Sequence, residues 1–169
     1  MRLRNLGQGV AVWTGGPRAC AGRVRALYWG RAGTRMFTHR LTIQLHHTDA
    51  YGIIFFANQF KFCHDAFQAL LDELGFPLPP TRHDVPAMFV IVHAECDYKV
   101  PIHVGDKLTV ELSAEKVGTT SLVMGYRFSN QHGVQVGTGR TVHVFIDTTT
   151  SRKVPLTDAV KAAFARHLS

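Results

Sequence analysis

The chain has no acidic residue before Asp49, only three cysteines and no long apolar run, and each shortage removes a class of explanation. No stretch approaches the ~18 apolar residues of a membrane-spanning helix, so no membrane insertion is expected. No apolar core of a secretory signal is visible either. Cys20, Cys63 and Cys96 form neither an even framework nor a CxxC pair, which points to a reducing compartment, the cytoplasm. The shortage of acid is local. Residues 1–35 hold seven arginines and no acid, whereas residues 36–169 hold twelve basic and twelve acidic residues. The net charge of +7 therefore belongs to the N-terminal segment, and the neutral remainder gives no reason to expect a nucleic-acid partner.

What is present begins with that segment. Arg, Gly and Ala make up 19 of its 35 residues, with no serine. It reads as an extension outside the fold: a disordered stretch, a start codon placed too early upstream of Met36, a targeting segment or an interaction arm. Residues 36–169 are long enough for one domain with a core of its own.

From Met36 the pattern sharpens. In "FTHRLTIQLHH", Leu41, Ile43 and Leu45 alternate with Thr42, Gln44 and His46, which predicts a half-buried strand with His46 and His47 on opposite faces. Phe60, Cys63, Phe67, Leu70, Leu71 and Leu74 then recur at helical spacing, one face of a helix of about four to five turns. Gly75 stops it, and Pro77, Pro79 and Pro80 keep it from resuming. "AMFVIVHAECDYKV", "KLTVELSAEKV", "TSLVMGYRFSN" and "VQVGTGRTVHVFID" read as strands, with turns at Gly105–Asp106 and "QHG". A last helix starts after Thr157. The order predicts an α+β fold in which an antiparallel sheet of about five strands wraps one long helix. Its uncovered edge and face suggest a homodimer or homotetramer.

The segment "TDAYGIIFFANQFKFCHDAFQALL" resembles the hot-dog fold thioesterases of the 4-hydroxybenzoyl-CoA thioesterase type, and "VHAECDYKVPIHVGDKLTVEL" matches the same family downstream. The resemblance covers nearly all of residues 37–148 and none of the first 35. "FANQFKFCHDAF" and "FVIVHAECDY" look most like its 1,4-dihydroxy-2-naphthoyl-CoA branch, from quinone biosynthesis; the short-chain acyl-CoA branch shares the same turn.

The resemblance implies hydrolysis of an acyl-CoA, with no cofactor because coenzyme A is part of the substrate. Asp49 would be nucleophile or general base. The backbone N–H of Phe56, at a helix N-terminus, would bind the oxyanion, with Gly52 allowing a tight backbone approach. Phe55, Asn58, His64, Phe89, His93, Thr119 and Thr120 would bind the substrate. Each has a plainer reading: Asp49 and Gly52 as turn residues, His64 as a subunit contact, His93 as an ordinary strand residue. His46 and His47 beside Asp49 invite a metal, but opposite strand faces argue against a shared ion, and none is expected. His47 also stands where many relatives carry a second acid, which leaves a one-carboxylate scheme. The coenzyme's phosphates need cations. "KVGTTS" supplies only Lys116 beside its hydroxyls, so Lys99, Arg140 and Arg152 are further candidates. A dehydratase of the same fold would need a paired acid and histidine that is missing, since Ile54 lies five residues after Asp49. A non-catalytic acyl-CoA-binding module is the alternative from outside the enzymes.

Overall fold

The computed structural model describes Tyr28–Trp29 and residues 35–168. The elements are β1 (Tyr28–Trp29), β2 (Arg35–Thr42), α1 (Ala57–Leu74), β3 (Ala87–Tyr98), β4 (Lys107–Val117), β5 (Ser121–Ser129), β6 (Gln135–Asp147) and α2 (Asp158–Ala165). Every strand pairing is antiparallel and the sheet runs β1-β2-β4-β5-β6-β3. Five full strands and one long helix are the expected α+β arrangement. Tyr28 and Trp29 add a short rung against Met36 and Arg35. The rest of the reading of residues 1–35 as an extension lies outside the described residues.

Alternation places the core. Leu108, Val110 and Leu112 of β4 and Leu122, Met124, Tyr126 and Phe128 of β5 all point inward and are buried. On α1 the buried residues include Cys63, Phe67, Leu70 and Leu71, as the spacing predicts. Phe60 and Leu74 are only half-buried, and Phe62 and Ala66 take the inner positions instead. The stripe is turned because α1 rests on two strand glycines. A Cβ on Gly137 would lie 2.9 Å from Gln59 Nε2, and one on Gly139 would lie 2.8 Å from Cys63 Sγ. Glycine ordinarily weakens a strand interior, and here it admits a close helix. Each large side chain that this contact buries contributes about 1.5–3 kcal/mol. Gly75 ends α1 at φ 83°, and the Phe76 N–H closes the last turn on Leu71 O at 2.9 Å.

Two parts of the sequence reading change. β2 stops at Thr42 because its partner β4 begins at Lys107, and the Ile43 N–H turns to Asp106 O at 2.9 Å. The chain then enters a 3-10 turn over Leu45–His47. Leu45, expected in the core, is 77% exposed. His46 and His47 do not lie on opposite strand faces; their rings meet edge-on, 4.1 Å apart.

Far from that turn, Phe67, Phe89 and Phe164 form an aromatic cluster, with His143 stacked on Phe67 at 3.9 Å. α2 is capped by the Thr157 side chain, which accepts the Val160 N–H. β3 is an edge strand, and its Ile91 and Val92 are exposed beside a bulge. Among the described residues no helix is long and apolar enough to cross a membrane.

Candidate active site

The stretch between β2 and α1 is a loop held at both ends. The Asp49 N–H donates to Ile53 O at 3.0 Å, and the Gly52 N–H returns to Asp49 O at 3.0 Å. The Tyr51 N–H donates to Asp49 Oδ1 at 2.8 Å, which fixes the carboxylate on its own turn. Gly52 has φ 74°, so glycine is needed there for the left-handed backbone. Within the chain itself a Cβ on Gly52 would meet nothing within 4 Å.

The His47 carbonyl ties this loop to the helix. It accepts the Phe55 N–H at 2.9 Å and the Asn58 side-chain amide at 2.7 Å. The His47 ring is held in turn, its Nδ1 accepting the Gln44 N–H at 3.0 Å. Burial, then His46 and Lys61, keeps the His47 pKa below the usual imidazole range and so favours the neutral ring this bond needs.

α1 starts immediately after Phe56 with no side-chain cap and no acid in its first turn. The Phe56 N–H has no acceptor among the described residues. Its carbonyl does have a partner, the Tyr98 hydroxyl, which donates at 2.8 Å from the end of β3. Burial raises the Tyr98 pKa, which keeps the phenol a donor. An open N–H at a helix N-terminus, carrying the positive end of the dipole, is suited to a developing oxyanion. Asp49 and Phe56 line one cavity of about 520 Å³, with Tyr51, Ile53, Ile54, Phe55, Tyr98, Lys99, Val100, Pro101 and Ile102. Asp49 and Phe56 thus bring an acid and a helix N-terminus to one largely apolar pocket.

A family model described as the thioesterase-like superfamily matches residues 43–164. The chain belongs to the thioesterase-like superfamily. A 1,4-dihydroxy-2-naphthoyl-CoA hydrolase of Synechococcus elongatus is 35% identical over 115 residues, covering 68% of this chain and 84% of its own. A solved 1,4-dihydroxy-2-naphthoyl-CoA thioesterase from Synechocystis superposes with a TM-score of 0.72 at 25% identity, covering 77% of this chain and 96% of its own. A gentisyl-coenzyme A thioesterase superposes at 0.66 with 28% identity, over 76% of this chain and 98% of its own.

Within this thioesterase-like domain the expected site residues divide. Asp49, Phe55 and Phe56 share the cavity, and Gly52 shapes the turn beside it. Asn58, expected to touch substrate, is 4% exposed, and its amide is given to the His47 carbonyl. It positions the loop against the helix. His64 is exposed on α1, outside the residues that line the cavity. Phe89 lies in a second cavity of about 300 Å³ at the other end of α1, with Leu71, Phe76 and Phe145. His93 is exposed on β3 and meets Glu95 at 3.3 Å. Thr119 and Thr120 sit in the β4–β5 turn, about 30 Å along β4 from the Asp49 end. Their carbonyls accept the N–H groups of Leu156 and Phe145. Within one chain, then, Phe89, His93, Thr119 and Thr120 are not brought to Asp49.

Of the cationic candidates, Lys99 stands at the cavity wall. Arg140 is held by Glu115 at 2.8 Å and Glu95 at 3.8 Å. Among the described residues no group of three or more His, Cys, Asp or Glu could hold a metal ion. Sequence reasoning missed Tyr98. A tyrosine closing a strand gives no local sign that it will reach a helix carbonyl 42 residues away.

Proposed function

We propose that the chain is an acyl-CoA thioesterase acting on an aryl-CoA, with 1,4-dihydroxy-2-naphthoyl-CoA as the first substrate to test. The observation that carries the reading is that Asp49 and Phe56, whose N–H has no acceptor among the described residues, line one largely apolar cavity. The names of the relatives support the substrate class. In the general-base route, Asp49 takes a proton from water as it attacks the thioester carbonyl. In the nucleophilic route its carboxylate attacks and water opens the resulting anhydride. Both routes place negative charge on the carbonyl oxygen, where the Phe56 N–H meets it, and both expel the coenzyme thiolate. No cofactor beyond the substrate's own coenzyme is needed, and Lys99 is placed to meet its phosphates. The setting we propose is cytoplasmic.

A second copy completes this reading. Antiparallel pairing of β3 with β3 of another copy would continue the sheet and cover Ile91 and Val92. It would carry Phe89 of that copy toward the Tyr98 end of this one, with His93 nearer the middle of the pairing. A homodimer is the minimal unit, and a homotetramer would pair two of them.

Coenzyme thiol release by the full chain, measured over aryl, short and long acyl-CoAs, tests the proposal. Asp49→Asn should lower turnover by about 100-fold or more while the fold is kept. If the folded chain hydrolyses no acyl-CoA, the enzyme reading fails and the binding-module reading takes its place. A preference for short aliphatic acyl groups would remove only the naphthoyl assignment.

A further inference from the structure

Cys63 and Cys96 come from different elements, α1 and β3, and meet over one residue. Cys96 pairs with Gly139 across the β3–β6 ladder, and Cys63 descends on the same glycine from the helix. A Cβ at Gly139 would lie 2.8 Å from Cys63 Sγ and 3.4 Å from Cys96 Sγ. The absent side chain of Gly139 is thus the room in which two sulfurs meet. Both are free thiols; Cys63 is buried and Cys96 half-buried. The closeness of the two thiols, with burial, drives Cys63 up, and the neighbouring Cys63 holds Cys96 below its usual range. Cys96 is the more reachable sulfur and Cys63 the buried one beside it, so one can meet an oxidant and the other lies in position to resolve it.

We propose that Cys63 and Cys96 form a reversible oxidation site that closes to an intrachain disulfide on exposure to a hydroperoxide. The Cys96 thiolate attacks the terminal peroxide oxygen, the O–O bond breaks, and the departing alkoxide takes a proton as the alcohol. Cys96 is then a sulfenic acid. The Cys63 sulfur attacks the Cys96 sulfur, an S–S bond forms, and hydroxide leaves with the Cys63 proton as water. Two thiols are oxidised and one peroxide is reduced, with no other co-reactant. The bond needs the sulfurs at about 2.05 Å, so closure draws α1 and β3 together beside Gly139. The tie falls two residues before Tyr98 and seven after Phe56. It goes beyond the thioesterase reading, and its readouts are covalent, independent of turnover.

The test treats the full chain with stoichiometric hydrogen peroxide, blocks remaining thiols and maps tryptic peptides. The expected product links the peptide of residues 62–82 to that of residues 83–99, disappears with dithiothreitol, and leaves Cys20 alkylated. In C63A, which keeps the core apolar, Cys96 should accumulate as the dimedone-trapped sulfenic acid; C63S repeats this should C63A fail to fold. The proposal is overturned if both thiols remain alkylated, if Cys96 proceeds to sulfinic acid with Cys63 free, or if either sulfur links instead to Cys20 or to another chain.

Discussion

Lowering the pH from about 8 to about 4 should cost this fold about 3 kcal/mol through one imidazole, that of His143. The ring is 1% exposed, is stacked on Phe67, and has Nε2 2.7 Å from Thr141 Oγ1. Thr141 is in turn 2.9 Å from the Tyr126 hydroxyl. Burial raises the Tyr126 pKa, so a chain running from Tyr126 through Thr141 to His143 suits a neutral ring. Burial, with the charge of His64 adding to it, brings the His143 pKa from 6.5 to about 4. The folded state resists the proton that the unfolded chain accepts. The contribution is therefore whole above pH 6.5 and is lost as the pH falls through about 4. Urea unfolding of the wild type and His143→Gln at the two ends of that range isolates it. The wild type should lose about 3 kcal/mol more than the variant, whatever His39 and His47 add to both. Equal losses in the two proteins would refute the argument.

Three further outcomes are expected. Gly139→Ala pushes a methyl against Cys63 Sγ at 2.8 Å and should destabilise the chain by about 1–3 kcal/mol in urea unfolding. Asn58→Ala removes the amide from the His47 carbonyl, costing about 1–2 kcal/mol of stability. It should lower kcat more than it raises KM, because the loop bearing Asp49 loses its tie to the helix. Leu45→Ser should change stability by less than about 0.5 kcal/mol, since Leu45 lies in an exposed turn; a loss above about 2 kcal/mol would restore the buried-strand reading.

The sequence carried the elements well where the burial pattern was regular. β5 buries alternate residues over its length, β4 does so as far as Leu112, and α1 is ended by a glycine. It misled where tertiary pairing ended. Nothing in the alternation of Leu41, Ile43 and Leu45 says that β4 supplies no partner beyond Lys107. The same limit applies to the site. That Asp49 and Phe56 share a cavity was legible because they lie only seven residues apart along the chain. Asn58 was expected at the substrate by resemblance, and no local pattern announces that its amide goes to the His47 carbonyl. Phe89, His93, Thr119 and Thr120 lie away from the Asp49 cavity, because pairing across the whole sheet, and no local pattern, sets where each falls.

The bare start of α1 carries a warning for anyone who would make this protein hardier. Most helices gain from a serine, threonine or aspartate at the first position, and a stabilisation screen would choose this uncapped one early. Such a graft at Phe56 would strengthen the helix start while removing an aromatic side chain from the wall of the Asp49 cavity. Thermal robustness and turnover would then move in opposite directions at one residue.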